Sequence, residues 1–476
     1  MAESNKPTIL ICSTSLFTDR ILLYSSFAEY ITSRARVSVW ASSYPTNKEY
    51  WEQQGFTLEP FPAVSNFSEM LNVLREANNT AWAKALHAKS LLQTQALFRK
   101  SMLSKKNKVW WEWLPFLWYW LGSLVAFFRL HKPFEKFILK KLAVSNRSAE
   151  ALTRLKNNKP DLLVSTNPMW SWESAVCVEA GKLNIPVFSF IPSWDNITTK
   201  SRFNYYSKAY AVWSDVRIKE LHAYYHYTQN APVYAVGAPQ YDVFFDKQYI
   251  IPADEFFNKY GLRKDLPVVL YALGSPLFIK SEFGTCFMVL EAMKEKGMLE
   301  QVQVLVRPHP NKDNWDEFEK MLHLHPNVKL QDTGMPGGTP TVKRTQTQQL
   351  IADWVSTIYY ANMVIAVSST ILLDGALLDK PLINVEFDPT PGHKFDEFLR
   401  NINRSWPHLV TLLNTNACHM VQSIDTTIDA MKAALNRPFE LAAQRKEAVK
   451  VLLANTNGSA GVTFARAILN EVGVPK

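Results

Sequence analysis

At 476 residues the chain is too long for one ordinary core and predicts two large domains. With 47% hydrophobic and 20% charged residues, and 16 Gly and 26 Pro dispersed along it, the chain is neither disordered, collagen-like nor low-complexity. The excess of 52 Lys plus Arg over 43 Asp plus Glu favours an anionic partner: nucleic acid, a phosphorylated metabolite or an acidic membrane face.

The opening MAESNKPTILICSTS lacks the basic, long apolar and small-residue sections of a secretory leader, so ILIC is read as a first strand and secretion is not expected. Cys12, Cys177, Cys286 and Cys418 are too far apart for a C-x-x-C metal pair and too few to staple the chain, which fits a reducing cytoplasm. A helix at Asp19 to Ser33 and the strand VSVW follow.

The next feature is VWWEWLPFLWYWLGSLVAFF, Val109 to Phe128, which holds Trp110, Trp111, Trp113, Trp118 and Trp120. Basic residues bracket it, from Arg99 to Lys108 before and from Arg129 to Lys141 after. Indole rings settle at the headgroup level, and lysine and arginine attract anionic lipid. Its uninterrupted apolar part, Leu114 to Phe128, has 15 residues and contains Pro115 and Gly122, whereas a helix crossing a bilayer takes about 20. The segment is therefore expected to lie on a membrane surface. Burial between domains or at a homo-oligomer interface is the alternative. A nucleic-acid platform would interleave basic residues with the aromatics, and here they only flank them.

DLLVS, then Trp172 to Leu183, then VFSFI, then AYAVW, Asp215 to His226 and VYAVG continue a strand–helix alternation, the mark of parallel sheet. The pattern turns polar from Phe245 to Leu266, and a second strand series follows: VVLYAL, QVLV, VKLQ, VIAV and LINVEF. Helices rich in Ala, Leu, Lys and Glu occupy the end. The expected architecture is α/β, with two Rossmann-like doubly wound domains facing a cleft, at 1–248 and 249–437. The helices of 438–476 can cross back to the first domain.

In such sheets ligands sit beyond the carboxyl ends of the strands. After QVLV comes RPHP, where Pro308 and Pro310 stiffen the backbone around His309 and Arg307 offers a charge-assisted contact to phosphate. In VIAVSSTILLDGALLDKPLINVEFD, Ser368, Ser369 and Thr370 fall where a helix begins, a seat for phosphate as well as an ordinary N-cap. ALGSPLFIK adds Gly274, Ser275 and Lys280. Neither G-x-x-x-x-G-K-[ST] nor a G-x-G-x-x-G after a strand is present, against an ATPase or a dinucleotide enzyme.

An HP loop followed about sixty residues later by strand–SST–helix resembles the HP and S-S/T motifs of GT-B glycosyltransferases, especially bacterial sialyl-, polysialyl- and Kdo-transferases that use CMP-sugars. The second segment is also similar to CDP-glycerol glycerophosphotransferases. PSWDNITTK (192–200) and VGAPQYDVF (236–244) look like segments of bacterial surface-polysaccharide transferases, and the likeness spans about 160–435. It implies a nucleotide role for His309, Ser368, Ser369 and Thr370, a donor-binding second domain and an acceptor-binding first one. The sialyltransferase acidic base motif is not evident.

A carboxylate that takes the acceptor's proton is sought on the first domain: Asp195 first, Glu173 second. Trp194, Asn196, Thr198, Thr199 and Lys200 are the expected acceptor contacts, although Asp195 is also an ordinary loop-shaping residue and Trp194 an ordinary filler of a hydrophobic corner. No cofactor or metal is required, since guanidinium, imidazole and helix-end N–H groups can stabilise a departing phosphate. His222 and His226 have zinc-compatible spacing without a third ligand, and His323 and His325 fall in a loop. The expected function is transfer of a sugar, preferably from a CMP-linked donor such as a Kdo or other ulosonic acid nucleotide, to a surface polysaccharide or lipid-linked acceptor. The expected place is the inner face of the cytoplasmic membrane, with no nucleic-acid partner. CDP-alditol phosphotransfer, a UDP-sugar 2-epimerase and a non-catalytic membrane scaffold are the rivals.

Overall fold

The computed structural model describes residues 6–42, 48–65, 68–103, 114–275, 282–309, 320–331, 346–389, 392 and 396–474. The chain divides into two compact units, one of residues up to Asp242 plus those from Leu453 onward, the other Val243–Leu452.

The first unit holds seven strands, β1 (Thr8–Ser13), β2 (Arg36–Ala41), β3 (Phe56–Pro60), β4 (Leu162–Ser165), β5 (Val187–Phe190), β6 (Ala209–Val212) and β7 (Val233–Ala235), ordered β3-β2-β1-β4-β5-β6-β7. All its pairings are parallel. Central strands β4, β5 and β6 are buried on both faces, which is why they read as continuous apolar runs. Strand β3, FTLEP, escapes that reading because it is an edge strand, alternates buried and exposed positions and ends in proline. The Asp19 to Ser33 helix is two helices, Leu16–Leu23 and Phe27–Thr32.

The second unit has six parallel strands, β8 (Val268–Ala272), β9 (Gln303–Arg307), β10 (Val328–Leu330), β11 (Met363–Ala366), β12 (Leu382–Val385) and β13 (Cys418–Val421), in the order β10-β9-β8-β11-β12-β13. Two Rossmann-like sheets are therefore present. The order reverses between β1 and β4 in one unit and between β8 and β11 in the other, which marks where ligands are accommodated.

Between β3 and β4 the chain inserts helices that include Glu69–Ala85, Lys89–Leu103, Leu114–Phe127 and His131–Ser145. The Leu114 helix approaches the Glu69 helix closely at Gly122, where a Cβ would fall 2.4 Å from the carbonyl oxygen of Ala77. The two helices run in the same direction, with Trp118 packed on Val73 and Ala77 one turn earlier. Trp118 is 4% exposed, so it belongs to the core and not to a membrane face, contrary to the sequence expectation. Trp120 is 65% exposed, and Phe116, Leu117, Leu124, Phe127 and Phe128 are exposed with it. Trp110, Trp111 and Trp113 lie outside the described residues. No described helix is long and apolar enough to cross a membrane.

The Ala442–Leu452 helix remains with the second unit, while Ala460–Glu471 packs in the first. There the carboxylate of Asp242 accepts hydrogen bonds from Ser26 and from the Ala460 and Gly461 amides at 2.9 Å, a negative charge placed on a helix N-terminus. Gly461 allows the contact, because a Cβ would stand 2.5 Å from the Phe27 nitrogen. Gly461→Val is expected to lower the unfolding free energy in urea by about 1–3 kcal/mol through overpacking, and an unchanged midpoint contradicts this packing.

Candidate functional site

Register places the second unit's loops side by side. Arg307, Ala272, Ala366 and Asn384 face one another across β9, β8, β11 and β12, so the segments beginning at Pro308, Leu273, Val367 and Glu386 leave one sheet edge together. His309 lies there half-buried behind the buried Pro308, two strands from the serines. Lys280 lies outside the described residues.

Ser368 begins the central loop with φ +44°, a left-handed conformation that costs a non-glycine residue energy and here falls at the point where strand order reverses. It is held there by its side chain and backbone: its N–H donates to Asn384 Oδ1 (2.7 Å) and its Oγ to Asn403 Oδ1 (2.6 Å). Asn403 in turn donates to Glu386, which also accepts from Gln422. Ser368 therefore shapes the loop. Ser369 is half-buried, and among the described residues neither its amide nor its hydroxyl is hydrogen-bonded to another residue. Thr370 is exposed at the start of the Ile371–Leu377 helix, and its carbonyl accepts from Leu373 and Asp374.

Two of the expected nucleotide contacts have partners within the second unit. Arg307 donates to Gln331 (2.7 Å), which itself bonds Thr357 and Tyr260, and burial pushes the guanidinium below its ordinary range. Arg307 is half-buried at the strand end, and the carboxylates of Asp374 and Asp353 offset part of that shift. Gly274 gives its amide to the buried carboxylate of Glu282 (2.6 Å), so that amide is not offered to a phosphate. Ser275 is half-buried beside it.

On the first unit, Glu173 is fully buried and clasps the loops after β1 and β4. It accepts from Thr14 Oγ1 (2.5 Å), Ser165 Oγ (2.6 Å), Thr166 Oγ1 (3.3 Å) and the Asn167 amide (2.8 Å). Burial outweighs these donors and holds its carboxyl above the ordinary range. Enclosed in this way, Glu173 is a structural clasp and cannot reach an acceptor. Asp195, on the loop after β5, accepts from Ser193 (2.6 Å), Asn196 (3.3 Å) and Thr199 (3.0 Å), and Lys200 stands 3.7 Å away. Its side chain keeps 23% exposure. Trp194 is 2% exposed and Thr198 and Thr199 are buried, so these three support the loop and offer no surface to a sugar, in contrast to the sequence expectation.

Other residues here escaped the sequence reading. Trp170, the N-cap of the Ser171–Lys182 helix that follows β4, and Trp172 in its first turn stand exposed, rings perpendicular with centroids 6.2 Å apart, at the edge where Trp194 was expected to serve. A cavity of about 270 Å³ is lined by Glu76, Asn79, Gln95, Lys200 and Arg202, among others. Burial holds the Glu76 carboxyl above its ordinary range. Arg202 forms a buried ion pair with Glu135 and lies between the rings of Trp82 (3.9 Å) and Tyr225 (4.6 Å). Glu76 and Glu135 carried no signal because each is one charged residue in a helix whose packing face is not legible without its partner.

His222 pairs with Thr228 and His325 with Glu300, and among the described residues no group of three His, Cys, Asp or Glu is placed to hold a metal ion.

Comparison with protein-family models and with curated protein sequences returns no match. Solved structures do match. UDP-GlcNAc 2-epimerase from Neisseria meningitidis, bound to UDP-GlcNAc, aligns at TM-score 0.53 and 12% identity over 97% of this chain and 100% of its own. The UDP-GlcNAc 2-epimerase of Methanocaldococcus jannaschii aligns at 0.51 and 12% over 97% and 99%. S. aureus MnaA, solved with UDP, aligns at 0.53 and 10% over 99% of each chain. At identities this low the likeness shows the fold alone, which is of the GT-B type.

Two outcomes test this geometry. Ser368→Gly is expected to be more stable than Ser368→Ala by about 1 kcal/mol in thermal unfolding, because both lose the Asn403 bond and only glycine is at ease in the left-handed region; equal stabilities contradict the strain. His226 stacks on Trp82 at 5.2 Å, and burial, with the charges of Arg202, Lys132 and His131, pushes its imidazole down to about 4. The unfolded chain, with an imidazole near 6.5, takes this proton first. Stability is expected to fall as pH drops from about 6.5 towards 4, and His226→Gln to remove part of that slope. An identical slope in the variant contradicts the assignment.

Proposed function

We propose that the chain is a glycosyltransferase that moves a sugar from a nucleotide-activated donor, preferably CMP-linked, to a lipid-linked or surface-polysaccharide acceptor at the inner face of the cytoplasmic membrane. The observation that carries this reading is the exposed apolar face of the Leu114–Phe127 helix, made by Phe116, Leu117, Trp120, Leu124 and Phe127, on a unit of nucleotide-sugar-enzyme fold. An enzyme whose acceptor is anchored in lipid needs such a face, whereas one that only interconverts soluble nucleotide sugars does not.

In the proposed reaction an acceptor hydroxyl oxygen bonds to the anomeric carbon while the bond from that carbon to the phosphate oxygen breaks, and its electron pair leaves with the nucleotide. His309, Ser369 and Thr370 donate to the departing phosphate, and Ser368 sets their loop. Asp195, the partly exposed carboxylate, takes the acceptor's proton. Trp170 and Trp172 supply an aromatic surface for the acceptor sugar.

A UDP-sugar 2-epimerase is the second reading, favoured by the two solved UDP-GlcNAc 2-epimerases that share the fold. Thermal unfolding with CMP, CDP, UDP and GDP separates the two: the transferase reading expects the largest stabilisation from CMP, and preference for UDP overturns it. His309→Ala and Ser369→Ala are each expected to weaken nucleotide binding by about tenfold, the worth of one hydrogen bond to a charged group, with titration calorimetry as the readout. Undiminished affinity in both removes the phosphate from this loop.

A further inference from the structure

The Glu69–Ala85 and Leu114–Phe127 helices, running in the same direction, finish together. Both end by the same device. His87 N–H donates to the Lys84 carbonyl (3.1 Å) and Ala88 N–H to that of Ala83 (2.8 Å); Arg129 N–H donates to the Ala126 carbonyl and Leu130 N–H to that of Val125, both at 2.9 Å. In each turn the residue in the left-handed conformation, a position suited to glycine, is basic: His87 at φ +51° and Arg129 at φ +55°.

These two strained corners line one open cavity of about 710 Å³, together with Lys84, His131, Trp120 and Phe127. Among the described residues, none that lines it is acidic. Two helix ends bring partial negative charge here, and Lys84 and Arg129 supply two permanent cations against it. One wall continues into the exposed apolar face, where Phe127 is 79% exposed. The Leu114–Phe127 helix carries no charged residue, while Lys132, Lys136, Lys140 and Lys141 stand exposed on the next helix.

A basic recess whose rim merges with an apolar surface fits a ligand with an anionic head and a hydrocarbon tail. We propose that this cavity receives the phosphate of an anionic glycerophospholipid, held by Arg129 and Lys84 with hydrogen bonds from the imidazoles, while Trp120 and Phe127 enter the acyl region. This rests on the membrane-surface reading above and adds to it a headgroup site with lipid selectivity.

The test is sedimentation of the full chain with vesicles of phosphatidylcholine alone or mixed with phosphatidylglycerol. The wild type is expected to prefer the anionic vesicles. Arg129→Gly, which gives the turn the residue it favours, and Lys84→Gln are each expected to reduce that preference about fivefold, with neutral-vesicle binding unchanged and Arg129→Gly no less stable than wild type. Phe127→Ala is expected to weaken binding to both vesicles. If Arg129→Gly and Lys84→Gln keep the full anionic preference while Phe127→Ala weakens binding, the headgroup site is wrong and the membrane reading survives. Binding of the wild type to neither vesicle overturns both. Release from anionic vesicles by millimolar inorganic phosphate at constant ionic strength assigns the cavity to a free anion and overturns the lipid.

Discussion

The buried pair of Arg202 and Glu135 joins the two parts of the first unit to which the proposed function assigns the membrane and the acceptor. Glu135 comes from the helical insertion that bears the exposed apolar face, and Arg202 ends the loop that carries Asp195. Around them Arg202 N–H donates to Asn79, Arg75 to Asn204 and Ser90 to the Thr198 carbonyl, so the insertion and the loop are tied at several points. Losing one member of a buried pair leaves an uncompensated charge, at a cost of about 3–5 kcal/mol. A helix resting on a bilayer would then be fixed relative to the residues proposed to meet the acceptor.

The second constraint is the direction of the strands. Parallel pairing sends every strand's carboxyl end to one edge, which brings residues about sixty apart in sequence, His309 and Ser368, onto the same rim. At that rim the chain accepts strain at Ser368 and secures it through Asn384 and Asn403. Strained backbone persists where surrounding bonds determine it. The neighbouring carboxylate of Glu282 fixes the β8 loop through Gly274, leaving the hydroxyl loop as the polar surface proposed for phosphate.

Much of this architecture was legible in the sequence. Runs such as VVLYA and VIAV are apolar throughout because both faces of a parallel strand are covered, and they mark β8 and β11 directly. Edge strands β3 and β13 were not, since short segments containing Thr, Glu or His lack that signature. The hydroxyl loop could be found from its place after a strand. Side-chain commitments could not: Arg307 reads as a phosphate ligand with no hint that one guanidinium nitrogen is bonded to Gln331, and Glu173 reads as a base until Thr14 from the loop after β1 and three donors on β4 and its own loop enclose it. Trp118 and Trp120 show the same limit, two residues apart in one aromatic run and on opposite sides of the helix, one against Ala77 and one exposed.

Amide hydrogen exchange of the full chain with and without cytidine nucleotide is the most direct measurement of the central claim, that a nucleotide phosphate is seated at the carboxyl edge of the second sheet. Slowed exchange concentrated in peptides covering Val367 to Leu373 and the segment around His309 is the predicted result. Protection that leaves those peptides unchanged while another part of the chain responds would contradict it.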